Sequence, residues 1–378
     1  MATTQRVPFF DYPHVFSADE EQLVEIFSDV GRRGAFIQQQ DLEEFELRLA
    51  KYVDAKYVLG IANATDALHL ALRALGVAAG DEVIFSSHTM VATAAAVHFA
   101  GGTPIPVECR EDHLIDPAAV EKAITPRTRA IMPTQLNGRT ADMDALQTIA
   151  DKHGLDIIED SAQALGSKFK GRFAGTFGKA GCISFYPAKT LGCLGDGGCV
   201  ITNDDDMYRK LRMLRDHGRG EDGEVQMWGI NSRLDNLQAA ILNQKLNSYE
   251  QAIARRRELA TLYDQKLAGL PQIVLPPAPN SSPDHFDIFQ NYELAVERRD
   301  KLKSHLRDRG VGTLQPWGGK AVHQFPALGF TQTLPFTDEL FHRVMMLPMN
   351  TSLSNEDVSY VCDCIREFYA VDHIADAA

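Results

Sequence analysis

Lys189 stands in the run FYPAKTLGCLGDGG, Phe185 to Gly198, between a strand-like segment and a turn rich in glycine. A lysine amine is a nucleophile only when deprotonated, and a partly desolvated site can activate it or an aldehyde can capture it as a Schiff base. In the preceding CISFYPAK the alternation puts Ser184 and Tyr186 on one face and Ile183 and Phe185 on the other. A surface loop is the commoner place for a lysine. Gly192, Gly195, Gly197 and Gly198 argue against that reading here, because glycines let a ligand approach the backbone closely.

Two other places carry residues of the same kind. LDIIEDSAQALG reads as a strand ending in Glu159 and Asp160, with Gln163 close enough for Asp160 and Gln163 to face one ligand. A carboxylate there can keep a ring nitrogen protonated; the plain alternative is a solvated acid capping the next helix. GIANATDALHLAL places Asn63, Ala64 and Thr65 where a strand gives way to a helix, and free N–H groups with the helix dipole favour an anion there. An ordinary N-cap is the alternative. Together, an anion-binding helix start, an acid for a ring nitrogen and a Schiff-base lysine are what a protein supplies to pyridoxal phosphate.

The elements that must position these groups follow a βαβ rhythm. LEEFELRLAKYV, DALHLALRALGV, MVATAAAVHFAGG and ADMDALQTIADKHG have helical spacing, whereas EVIFSS, TPIPVEC, RAIMPTQ and LDIIED read as strands. Such alternation implies an α/β fold with a mostly parallel sheet covered by helices, and ligands in such sheets bind outside the carboxyl ends of the strands. Beyond about residue 250 the texture changes. NLQAAILNQKLNSYEQAIARRRELATLYDQKLAG reads as one long amphipathic helix, followed by PPAPNSSPDHF and a βα segment, NYELAVERRDKLKSHLRDRGV. The expectation is a large domain over residues 1–250 and a smaller C-terminal α/β domain over 251–378, with the first 30 or so residues packing on the latter.

Composition narrows the partners. The chain has 378 residues, 44% of them hydrophobic, and a formal net charge of −13. That is enough chain for a large core, and the acidic balance opposes nucleic acid as a general partner. No signal peptide and no apolar run of membrane-spanning length is evident, which points to a cytoplasmic protein and no membrane association. Cys109, Cys182, Cys193, Cys199, Cys362 and Cys364 are scattered, with no metal-ligand spacing, so reduced thiols and no metal are expected.

The run EDSAQALGSKFKGRFAGTFGKAGCISFYPAKTLGCLGDGGCVITND, with NATDALHLALRALGV and GINSRLDNLQAAIL, resembles the DegT/DnrJ/EryC1/StrS family of sugar aminotransferases. The likeness runs from about residue 7 to 369. It implies a fold type I pyridoxal-phosphate enzyme of the aspartate aminotransferase kind, a homodimer with shared active sites. By the resemblance, Lys189 is the residue joined covalently to the cofactor and the proton carrier, Asp160 the partner of the pyridine nitrogen, and Gln163 the contact to the phenolic oxygen. Ala64, Thr65 and Ser184 match phosphate contacts, and Asn231 in NSRLD matches the residue reaching the phosphate from the neighbouring subunit. The implied reaction moves an amino group from L-glutamate to a keto-sugar, most simply a nucleotide-linked 3- or 4-keto-deoxyhexose.

Departures from the family pattern bear on the substrate. Met90 stands where relatives carry an aromatic residue against the cofactor ring; a thioether can lie on a ring, and His88 competes for the role or is a structural histidine. QLNG, from Gln135, replaces a histidine-led element. GVGTLQPWGGKAVHQF replaces a His-Tyr-Pro element, so Trp317, Lys320 and His323 either line the sugar site or pack the small domain. His217 and Arg219 in RDHGR are candidate anion contacts or plain surface charge. Cys193, four residues past Lys189, invites a desulfurase reading that the rest of the motif opposes. An unlinked keto-sugar or sugar acid stays open as substrate; a dehydratase would replace the lysine by histidine, and a non-catalytic, cofactor-binding regulator is the remaining alternative.

Overall fold

The computed structural model describes residues 6–375, with side chains to residue 370. Its main sheet is built from β1 (Tyr57–Ile61), β2 (Glu82–Ser86), β3 (Thr103–Val107), β4 (Thr128–Met132) and β5 (Asp156–Asp160). A small hairpin, β6 (Lys168–Phe169) and β7 (Arg172–Phe173), separates these from β8 (Ala180–Ser184) and β9 (Gly198–Thr202). The seven-stranded order is β1-β9-β8-β5-β4-β2-β3. All neighbours from β3 through β8 pair parallel, whereas β9 runs antiparallel to both β8 and β1. The sheet is thus mixed and mostly parallel, as the βαβ rhythm requires.

Coverage on both faces explains why these strands read as apolar runs rather than alternating ones: every residue of β2 and β9 is buried. The helix Ala64–Leu75 shows how the sequence sets an element. The Asn63 side chain caps it by accepting from the Asp66 N–H, Leu68, Ala71 and Leu72 turn into the core, and Gly76 ends it at φ +91°. Each such fully buried leucine contributes about 1.5–3 kcal/mol.

A second apolar cluster lies around β10 (Ile273–Val274), β12 (Tyr292–Val296) and β13 (Val344–Leu347), an antiparallel sheet backed by helices Arg299–Asp308 and Asn355–Ala375; β11 (His285–Phe286) pairs instead with β6. Val7 belongs to this cluster, its N–H donating to Gly310 O at 3.0 Å and its carbonyl accepting from Gly312 at 2.8 Å.

The single long helix expected after residue 235 is two helices, Asn236–Leu246 and Tyr249–Leu267. The N–H groups of Asn247 and Ser248 bond three residues back, to Gln244 and Lys245, and Ser248 leaves helical geometry at φ −110°, so the first helix tightens and stops there. The second helix is shared: Tyr249 and Ile253 belong to a cluster under the main sheet, whereas Leu259, Tyr263 and Leu267 belong to the C-terminal one. Among the described residues, no helix is long and apolar enough to cross a membrane.

Candidate active site

Asp160 ends β5 and is buried. Its Oδ2 accepts from the Thr93 hydroxyl at 2.6 Å and its Oδ1 from the Ala162 N–H at 3.2 Å. Burial raises its carboxyl above the ordinary range, opposed by those two donors and by the charge of Lys189. Its neighbour Glu159 faces the other way and is fully committed, accepting from Gln135 Nε2 and from the N–H groups of Gly175, Phe177 and Gly178. Gln135 therefore serves as a clamp on Glu159.

Gln163 accepts on Oε1 from the Asn137 N–H at 2.8 Å and from Asn291 Nδ2 at 3.4 Å. That fixes its carbonyl inside the protein and leaves its NH2 to donate.

Lys189 follows β8 in a tight turn, its N–H donating to Tyr186 O at 2.8 Å. Gln290 brackets it: Nε2 donates to Ala188 O at 2.8 Å, while Oε1 accepts from the Thr190 N–H at 2.8 Å and hydroxyl at 2.9 Å. The residue is half-buried, and burial lowers its ammonium to about 8 against the upward pull of Asp160. At neutral pH about a tenth of the side chain is thus free amine, far more than in an ordinary lysine. Gln290 lies outside every motif in the sequence; its role is visible only once the chain beyond residue 285 folds back on the lysine turn.

Ala64 and Thr65 open their helix with N–H groups that have no intrahelical partner. Gly198 of β9 pairs with Ser184 and packs against the Asn63–Ala64 peptide, so the helix start and Ser184 meet around one glycine. This corrects the expectation that the glycines leave room for a ligand. A Cβ at Gly198 would sit 2.7 Å from the Asn63 carbonyl carbon, one at Gly197 2.5 Å from Cys193 Sγ, and one at Gly192 2.9 Å from Pro187 O. The chain closes on itself there. Cys193 is buried and its thiol is pushed up to about 12, the opposite of an activated sulfur.

Met90 is 48% exposed at the start of helix Val91–Phe99, available to a flat ligand. His88 is not: it is wholly buried, with its ring against His113 and Phe341. Its Nδ1 accepts from Trp317 Nε1 at 3.2 Å, which puts the imidazole proton on Nε2, 2.8 Å from Glu293 Oε1. Neither nitrogen is left for a substrate. His113 Nδ1 meets the same carboxylate oxygen at 2.6 Å. Burial would raise the Glu293 carboxyl, yet the two imidazoles outweigh it and hold it well below the usual carboxylate range. His88, His113 and Glu293 have ligand atoms within 4.8 Å of one another. A metal, however, would need a lone pair at His88 Nε2, where Trp317 has forced the proton.

His323 is likewise engaged at both nitrogens, with Ser87 Oγ at 2.6 Å and Asp338 Oδ1 at 3.0 Å. His88 and His323 thus join the C-terminal segment to the loop after β2, the structural alternative for each. Lys320 stays exposed, its Nζ 5.9 Å from the Phe325 ring centroid. His217, Arg219 and Asn231 lie apart from Lys189 in sequence on one hairpin, held by the Asp216–Asn231 bridge, and all three are exposed. Trp228, on the same hairpin, is 89% exposed.

The model of the DegT/DnrJ/EryC1/StrS aminotransferase family matches residues 17–366. The chain belongs to this family. The dTDP-3-amino-3,4,6-trideoxy-alpha-D-glucose transaminase of Streptomyces venezuelae is 42% identical over 375 residues, 97% of each chain. The UDP-2-acetamido-2-deoxy-3-oxo-D-glucuronate aminotransferase of Pseudomonas aeruginosa is 38% identical, covering 88% of this chain and 91% of its own. The crystal structure of Streptomyces venezuelae DesV in complex with a ketimine intermediate superposes with a TM-score of 0.93 at 42% identity, over 97% of this chain and 99% of that one.

Enzymes of the family depend on pyridoxal phosphate, and the residues present fit that group. Asp160 is a buried carboxylate raised by desolvation, the condition that a cationic ring N–H relieves; the Lys189 ammonium is lowered by burial, so its amine is freed far more readily than an ordinary lysine's; the open helix start at Ala64 and Thr65 suits a phosphate.

Proposed function

We propose that this aminotransferase moves the amino group of L-glutamate to a nucleotide-linked keto-sugar in amino-sugar biosynthesis, in the cytoplasm and as a homodimer. The observation that carries the reading is Lys189, a half-buried amine lowered to about 8 beside buried Asp160, in a chain alignable over nearly its full length with sugar transaminases. Bound pyridoxal phosphate supplies an aldehyde to carry the amino group and a ring that accepts electrons. Lys189 Nζ takes the proton from the amino donor's α carbon and returns one on the far side of the transfer. Asp160 holds the proton at the ring nitrogen, Gln163 donates its NH2 to the phenolic oxygen, and the N–H groups of Ala64 and Thr65 with the Ser184 hydroxyl bind the phosphate. The division at about residue 250 belongs to the same reading, with residues 1–250 as the large cofactor-binding domain and 251–378 as the small C-terminal one.

The homodimer is supported by the 216–231 hairpin. It exposes Val225 and Trp228 to an extent that a lone protomer would not favour, and it carries Asn231, the residue the family pattern assigns to a partner's phosphate. The test is purified protein with glutamate and a panel of dTDP- and UDP-linked keto-sugars, read by mass spectrometry. Amino-sugar formation is expected with a nucleotide-linked member; conversion of only an unlinked keto-sugar would overturn the nucleotide assignment, and no amino transfer from glutamate would overturn the donor.

A further inference from the structure

Behind Asp160 runs a chain of three buried hydroxyls. Thr93 Oγ1 lies 2.6 Å from Asp160 Oδ2, Thr89 Oγ1 2.8 Å from Thr93 Oγ1, and Thr134 Oγ1 2.9 Å from Thr89 Oγ1. All four residues are at most 5% exposed. We infer that Thr93, backed by Thr89 and Thr134, is a positioning residue that keeps the Asp160 carboxylate ionised and aimed at the cofactor's ring nitrogen. The inference rests on the reading that Asp160 meets that nitrogen.

Packing alone does not ask for these hydroxyls. Valine has nearly the shape of threonine, and a buried hydroxyl is unfavourable unless bonded. Here each hydroxyl is bonded to the next, and the chain ends on a carboxylate. An ionised carboxylate offers acceptors only, so the Thr93 proton must point to Oδ2. Thr93 then has only lone pairs for Thr89, which donates to it and accepts in turn from Thr134. Ionised Asp160 thus selects a single polarity, Thr134 to Thr89 to Thr93 to Asp160, along which each bond strengthens the next.

The mounting is rigid. β-branched Thr93 sits in the first turn of helix Val91–Phe99, and Thr134 is bridged to Asp160 through the backbone. Asp160 N–H donates to Pro133 O and its carbonyl accepts from Gln135 N–H, each at 2.9 Å, so the backbone of the acid is held on both sides of Thr134, the residue that starts the hydroxyl chain. Among the described residues the carboxylate's other hydrogen bond, from the Ala162 N–H at 3.2 Å, is longer and falls on Oδ1.

The experiment compares the affinity of cofactor-free protein for pyridoxal phosphate and for its deaza analogue, which has C–H in place of the ring nitrogen. Wild type should prefer pyridoxal phosphate. Thr93→Val should cut that preference on the order of tenfold, with affinity for the analogue unchanged, and Thr93→Ser should restore it. Thr89→Val, which leaves Thr93 in place, should cut it less and in the same sense. Equal weakening of both ligands in Thr93→Val would show a merely structural role and overturn the inference, as would an undiminished preference. If Thr93→Val does not fold, an undiminished preference in Thr89→Val overturns it. Wild type binding both ligands equally would overturn the pairing of Asp160 with the ring nitrogen, and the inference with it.

Discussion

Gly198 of β9 and Ala64 at the head of its helix are in backbone contact, so close that a Cβ on Gly198 would stand 2.8 Å from the Ala64 nitrogen. That nitrogen is one of the unpartnered N–H groups of the helix start. Gly198→Ala should therefore push the anion-binding turn away from Ser184. Affinity for pyridoxal phosphate should fall by about tenfold or more while far-ultraviolet dichroism stays native, as a cofactor titration of the purified variant can check.

In the proposed reading Lys189 is both covalent anchor and proton carrier, and Lys189→Ala tests both roles. Turnover should drop by at least about 10²–10⁴-fold, and the mass of borohydride-treated protein should show no attached cofactor, with the fold retained. A variant still carrying the reduced cofactor at full stoichiometry would place the anchor elsewhere.

The Lys189 ammonium, lowered to about 8 by burial, gives a pH signature. Below that pH the side chain is protonated and cannot attack; above it the amine is free. Covalent capture of pyridoxal phosphate by cofactor-free protein should accelerate as pH rises through about 8 and level off above. Asp160 pulls the ammonium upward, so Asp160→Asn should move the inflection to lower pH. An inflection near the ordinary lysine value of 10.5, seen by stopped-flow absorbance, would remove the desolvation argument.

Gln290 makes three hydrogen bonds to the residues flanking Lys189. Gln290→Leu keeps bulk and deletes them, leaving the Ala188 carbonyl and Thr190 donors to find new partners. The expected cost is about 1–3 kcal/mol of stability, together with slower cofactor capture at unchanged pH inflection. Urea unfolding and the same stopped-flow assay separate the two effects.

Trp228 tests assembly. If the hairpin carries the proposed dimer contact, Trp228→Asp should shift the protein toward monomer in light scattering and weaken cofactor binding in parallel, because the proposed reach of Asn231 into a partner's site would be lost. A dimer of unchanged strength would move the interface off this hairpin.

Much of this site was legible in the residues. The carboxyl end of β5, the helix start at Asn63–Thr65 and the lysine after β8 all follow from strand-then-helix patterning, because a parallel sheet sends its functional groups to one edge. What stayed hidden depends on contacts distant in sequence. Gln290 reaches Lys189 across about a hundred residues, and Trp317 reaches His88 across more than two hundred. No local period encodes such meetings. The glycines misled for a related reason: a glycine required by a neighbouring backbone and one required by a ligand look alike in a string. The break at Asn247–Ser248 was missed because apolar spacing continues past it, and only the tightened hydrogen bonds mark the stop.

The helix Tyr249–Leu267 roots one end in the cluster under the main sheet and the other in the C-terminal cluster. A rod anchored so cannot lose one cluster without exposing the apolar face it lends to the other. Thermal melting should accordingly be a single cooperative transition rather than two, and fluorescence and calorimetry should report the same midpoint.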